Sequence, residues 1–112
     1  MPTLINNIQL DRFRDQPLLL QRLIEIYLDS TPKNICSIEA GIESENLEQI
    51  AFHAHSLKGS SVEFGAEHLA ELCQQLQAVA EAADMASTEK LVEVLIPCYK
   101  ETCSELLALE ID

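Results

Sequence analysis

The chain has no Trp, and Phe and Tyr together make up only 4% of its 112 residues. A core must therefore be built from Leu, Ile, Val and Ala. Three Gly and four Pro are too few for the many tight turns of an all-β protein. Basic residues are scarce as well: seven Lys and Arg stand against nineteen Asp and Glu, for a formal net charge of -12. Such a surface repels phosphate backbones and anionic lipid, which argues against nucleic-acid and membrane partners. No apolar run approaches the ~20 residues that span a bilayer. The first ten residues hold neither a basic n-region nor a long apolar stretch, so no secretory signal is read and the cytoplasm is expected. The four cysteines (Cys36, Cys73, Cys98, Cys103) form no CxxC pair and are expected to be reduced, buried or inert.

What is present is a set of helical periods. Apolar residues make up 47%, enough for one core, and Ala, Leu, Glu and Gln favour helix. A short first helix is expected over Asn6–Arg14. Asp15 is a candidate N-cap with Pro17 just inside the next helix. That helix carries Leu18, Leu19, Leu23, Ile26, Tyr27, Ile35, Ile38 and Ile42, and Pro32 should kink it. Gly41 and the polar stretch Glu43–Asn46 mark a turn, with Ser44 as the next cap. A further helix aligns Leu47, Ile50, Ala51, Ala54, Leu57 and Ser61 on one face, until Phe64-Gly65 breaks it. Another starts at Ala66 and carries Leu69, Leu72, Cys73, Leu76, Val79, Ala80 and Ala83. Ala86-Ser87-Thr88 is read as turn and cap before a last helix from Glu89 to about Leu109, bent by Pro97. That helix carries Leu91, Val94, Leu95, Tyr99, Leu106 and Leu109. The expectation is an all-α, four-helix up-down bundle with a short additional N-terminal helix, as a single domain over 1–112. The chain starts at Met and ends soon after the last helix, which favours a free-standing protein.

The chemistry concentrates in His53-Ala54-His55-Ser56-Leu57-Lys58-Gly59-Ser60-Ser61. At ~100° per residue His55 falls on the flank of the apolar stripe, and Lys58 and Gly59 are its neighbours one turn on. A neutral imidazole is a good nucleophile near neutral pH. Phosphoryl transfer needs mainly positioning and charge neutralisation. Lys58, the only Lys or Arg between Lys33 and Lys90, can supply the charge. A helix-interior Gly costs about 0.5–1 kcal/mol relative to Ala. At position 59 it would let a partner approach the ring, with Phe52 and Val62 as an apolar docking patch. Taken singly, each residue has an ordinary reading: a surface His, a solvated Lys, a Gly at a helix contact, core Phe and Val. His53-x-His55 invites a zinc site, but side chains two apart on a helix diverge. Only an adventitious ion shared with His68 or a Glu is left open.

The stretch Ala54-His55-Ser56-Leu57-Lys58-Gly59-Ser60-Ser61, followed by Phe64-Gly65-Ala66, Leu69-Ala70, Cys73 and Leu76-Gln77, resembles the histidine-containing phosphotransfer (HPt) domain family. Leu18 to Pro32 looks like the family's first long helix, and Ser44 to Ile50 like the approach to its active helix. The resemblance implies a phosphorelay in which a receiver-domain aspartate gives a phosphoryl group to His55 Nε2 and another receiver takes it. It implies Lys58 as the charge-neutralising residue, Gly59 as the small residue that permits docking, and Gln77 as the partner of the other ring nitrogen. It also implies a response-regulator receiver and a hybrid sensor kinase as partners, a monomeric module, and no cofactor or kinase activity of its own. Some members carry a basic residue one turn after the Gln; here Glu81 stands there. The competing function is a phosphate-free helical bundle that only docks on receiver-like or helical partners.

Overall fold

The computed structural model describes residues 13–109. Phe13–Asp15 form a turn, and the rest of the short helix expected over Asn6–Arg14 lies outside the described residues. Four helices follow: α1 (Pro17–Ser44), α2 (Leu47–Val62), α3 (Glu67–Glu81) and α4 (Met85–Leu107). No strand occurs among the described residues. Consecutive helices pack on each other and α4 returns to α1, closing a four-helix bundle. At 1.5 Å per residue α1 is ~42 Å long, and it sets the 44 Å long axis of the molecule.

The core is aliphatic. Ile38, Ile50, Leu57, Leu69, Leu76 and Leu95 are wholly buried, each contributing about 1.5–3 kcal/mol by leaving water. Two of the assigned stripes differ in register. Ile24 and Val92 are buried where Ile26 and Val94 were expected, and Ile26, Val94, Leu18 and Leu19 are exposed. Residues two apart on a helix point ~200° away from each other, so Ile24 and Ile26, or Val92 and Val94, cannot both face inward. Tyr27 and Tyr99, members of the apolar stripes, also carry polar contacts. The Tyr27 hydroxyl meets Ser61 Oγ at 2.9 Å, and Thr31 Oγ1 meets the Tyr99 hydroxyl at 2.8 Å. These bonds tie α1 to α2 and to α4 inside the core. Burial pushes both phenols well above their ordinary range, so they stay neutral. The Tyr27 ring also stands edge-on to Phe64, with centroids 5.4 Å apart.

α1 continues through Pro32 and α4 through Pro97. Both prolines are exposed, on the side where water reaches the carbonyl that a missing N–H leaves unpaired. The joins are tight because α1, α2 and α3 end the same way. Glu45, Gly65 and Ala83 adopt the left-handed conformation, with φ of 54°, 67° and 58°. The residue after each donates its N–H five back: Asn46 to Gly41, Ala66 to Ser61, Asp84 to Val79. This is the Schellman closure. The following residue then starts the next helix, which moves several expected caps. Gln16, not Asp15, precedes α1, without a side-chain cap bond. Asn46, not Ser44, caps α2, accepting from the Gln49 N–H at 3.1 Å. Ser44 instead donates to Ala40 O from within α1. Asp84 caps α4, accepting from the Ser87 N–H, so Ala86-Ser87-Thr88 are helical and not a turn, and α4 starts at Met85 rather than Glu89. The Ser87 hydroxyl, donating to Asp84 Oδ2 at 2.7 Å, and the Ser87 N–H hold the Asp84 carboxyl below the usual carboxylate range. Ala83 belongs to the turn rather than to the α3 stripe. Gly41 is not a turn residue either. It is buried inside α1 where that helix crosses α2, and a Cβ there would lie 2.6 Å from Ile50 Cγ1.

Cys73 and Cys98 are buried, Cys103 is half-buried and Cys36 is exposed; all four are free thiols. Burial pushes the Cys73 thiol up to about 12, which leaves it protonated and inert near neutral pH.

Candidate phosphoacceptor site

The inner stripe of α2 is Ile50, Ala54, Leu57 and Ser61, all buried. Counting ~100° per residue, the opposite arc carries Phe52, His55, Gly59 and Val62. Phe52 is 69% and Val62 50% exposed, so neither is the core residue its type suggests. His55 and Gly59 are exposed with them. These four residues form one outward face, built by the same periodicity that anchors the inner one.

The two histidines of the motif diverge as the spacing requires. His53 leans to α1, where its Nδ1 meets Asn34 Oδ1 at 3.0 Å. His55 leans to α3, where its Nδ1 meets Gln77 Oε1 at 3.3 Å. No group of three or more His, Cys, Asp or Glu suited to a metal ion occurs among the described residues. A carbonyl oxygen only accepts, so a hydrogen bond across this contact requires the proton on Nδ1, with the Nε2 lone pair then free. Gln77, half-buried at the edge of the α3 stripe, is therefore in reach of the ring.

His55 lines one of two grooves between α2 and α3. One runs between α2 and the C-terminal end of α3 and is lined by Leu47, Ala51, Phe52, His55, Gln77 and Glu81. The second, between α2 and the start of α3, is lined by Lys58, Val62, Gly65, Ala70, Glu71 and Gln74. Lys58 leans toward α3, close enough that its charge lowers the Cys73 thiol slightly against the dominant effect of burial. Among the described residues it is held in no ion pair, so the ammonium is available to an incoming anion.

Gly59 is open. A Cβ built on it meets nothing within 4 Å, so a close helix contact, one ordinary reason for a helical Gly, does not apply. The feature that sequence reasoning missed is the role of Glu81, whose Oε2 accepts from Gln77 Nε2 at 3.3 Å. The signal was its spacing of four from Gln77, which makes the two neighbours on a helix.

No helix among the described residues is long and apolar enough to cross a membrane. Neither the curated proteins nor the solved structures contain a match to this chain. A family model for the Hpt domain matches residues 22–111, nearly the whole length, and it spans all of α2 and α3. With that match and the four-helix bundle together, the chain belongs to the Hpt domain family, whose members are phosphotransfer modules of phosphorelays without kinase activity of their own.

Proposed function

We propose that His55 is the phosphoacceptor and that it relays a phosphoryl group between aspartates of two receiver domains. The observation that carries this reading is an exposed imidazole whose Nδ1 is hydrogen-bonded to Gln77, beside an unobstructed Gly59. The Nε2 lone pair attacks the phosphorus of a receiver's aspartyl phosphate. The acyl P–O bond breaks as the N–P bond forms, and the aspartate leaves as a carboxylate. Positive charge grows on the ring, and Gln77 Oε1 stabilises it through the Nδ1–H. Lys58 neutralises the phosphoryl oxygens as they move. The second receiver reverses these steps. Phe52 and Val62 give the incoming receiver an apolar rim around the ring, and the space over Gly59 admits its backbone. A response-regulator receiver and a hybrid sensor kinase fit as partners.

The test is incubation with a phosphorylated receiver domain, followed by intact mass measurement. A gain of one acid-labile phosphoryl group is expected. His55→Gln should abolish it while leaving the helical circular dichroism unchanged, because the side chain lies off the core. His53→Gln and His68→Gln should still be labelled. Lys58→Ala should slow transfer by about 10-fold or more, the loss of one charge-assisted contact of roughly 1.5–3 kcal/mol. Full labelling of His55→Gln overturns the assignment, and an acid-stable label moves it to Ser56, Ser60 or Ser61. A receiver that binds without labelling identifies a phosphate-free docking bundle instead.

A further inference from the structure

The hydrogen bonds at His55 continue past Gln77. A side-chain amide has two ends of nearly the same shape, one accepting and one donating. Gln77 alone could present either end to the imidazole, and the two ends select opposite tautomers. With Oε1 toward the ring, Nδ1 carries the proton and Nε2 is the nucleophile. With Nε2 toward the ring, Nδ1 must accept and the outward Nε2 is protonated, so it cannot attack phosphorus. Gln77 Nε2 donates to Glu81 Oε2 at 3.3 Å, and Gln77 Oε1 faces His55 Nδ1 at 3.3 Å. An ionised carboxylate has no proton to give. It therefore claims the NH₂ end of the amide and leaves the oxygen for the ring.

We infer that Glu81 is a positioning residue for His55: its carboxylate orients the Gln77 amide, which holds the neutral imidazole in the Nδ1–H tautomer with Nε2 free. Glu81 is the last residue of α3. The bonds from Ala83 to Ala80 O and from Asp84 to Val79 O close the helix end just beyond it, so its place relative to Gln77 is set by the fold. The arrangement follows the logic of a base oriented by a third group, with an amide between imidazole and carboxylate. It also gives a negative residue a use where its charge, taken alone, opposes phosphate. The charge stands on the Nδ1 side, where it favours the cationic ring formed during transfer.

The consequence for transfer rests on His55 as phosphoacceptor, but the tautomer claim does not. The full ¹⁵N-labelled chain is read by long-range ¹H–¹⁵N correlation of the ring nitrogens, at a pH well above the imidazole titration and with no phosphoryl donor present. His55 should be mainly Nδ1–H. Glu81→Leu should shift its tautomer ratio toward Nε2–H by up to about twofold, the strength of a helix pair at this spacing. Glu81→Lys should shift it further, because an ammonium draws the amide oxygen and turns the amide around. Gln77→Glu added to Glu81→Leu should restore Nδ1–H, since either carboxylate oxygen accepts and no orientation is needed. His68 serves as the internal control. In a second arm, labelling by phosphoramidate should slow in step with the lost Nδ1–H population.

An unchanged His55 tautomer in both Glu81 variants overturns the proposal and reduces the contact to a surface helix pair. So does a failure of Gln77→Glu to restore the ratio. Unlabelled wild-type protein with the expected tautomers would instead reject the phosphoacceptor reading and leave the positioning role standing. The two failures are thereby distinguished.

Discussion

Gly41 and Gly59 share a residue type and a helical setting, and their surroundings give them opposite roles. A methyl group at 41 would strike Ile50 Cγ1 at 2.6 Å and Asn46 O at 3.2 Å, and Ile50 is wholly buried with no room to yield. The overpacking cost of about 1–3 kcal/mol outweighs the helix-propensity gain of up to about 1 kcal/mol. Gly41→Ala should therefore lower the urea midpoint. At 59 nothing opposes the methyl, so Gly59→Ala should raise stability by about 0.5–1 kcal/mol. Gly59→Gln should keep its melting temperature yet lose phosphotransfer from a receiver, while phosphoramidate still labels His55. Unfolding of Gly59→Gln would make position 59 a packing site after all. Normal receiver transfer by that variant would mean that the partner approaches from another side.

At the scale of the helices, the joins decide how α2 and α3 stand beside one another. Each depends on one residue with positive φ, and only one of the three is Gly. Ala83, at φ 58°, carries the steric penalty of a Cβ in the left-handed region, about 1–2 kcal/mol. Replacement by Gly removes that penalty and adds chain entropy to the unfolded state. Ala83→Gly should raise stability by about 1 kcal/mol in urea denaturation. The control is Ala82→Gly, at φ -80°, which should give no gain. Equal effects at both positions would show that the turn is not closed as described. The same turn follows Glu81 directly, so Ala83→Gly also tests whether a relaxed helix end leaves the Gln77–Glu81 contact in place.

For the molecule as a whole, charge is the dominant stress. A net charge of -12 on 112 residues repels itself in the folded state more than in the expanded chain. The ion pair of Arg22 with Glu25, at 3.3 Å, is exposed and relieves little of this. Sodium chloride shortens the screening length to about 10 Å at 0.1 M and about 3 Å at 1 M. The melting temperature should thus rise by several degrees between low salt and 0.5 M sodium chloride, on a scale where about 1 kcal/mol moves a domain of this size by ~4–8 °C. A flat or falling curve would mean that the acidic surface is already compensated locally.

The four helices of the described residues and the residues of α2 that face in or out were legible in the sequence, because a 3.6-residue period is a local property of the chain. The same holds for the divergence of His53 and His55 and for the outward placement of His55, Gly59, Phe52 and Val62. The start of α4 was not legible, since Ala86-Ser87-Thr88 have turn chemistry but lie inside the helix. Caps were less legible, since Ser44 and Asp15 have the right chemistry. Which polar residue caps depends on where the preceding helix closes, and left-handed Glu45 and Ala83 carry no Gly to announce it. The inward register of α1 and α4 could not be read between neighbours such as Ile24 and Ile26, because the choice belongs to the helices across the core. Contacts distant in sequence were decided by tertiary structure alone. Tyr27 with Ser61 spans 34 residues, Thr31 with Tyr99 spans 68, and His55 with Gln77 spans 22. A periodic pattern states which face of a helix is buried. Only packing determines which hydroxyl, amide or carboxylate lies opposite, as it sets the Gln77 amide against the His55 ring.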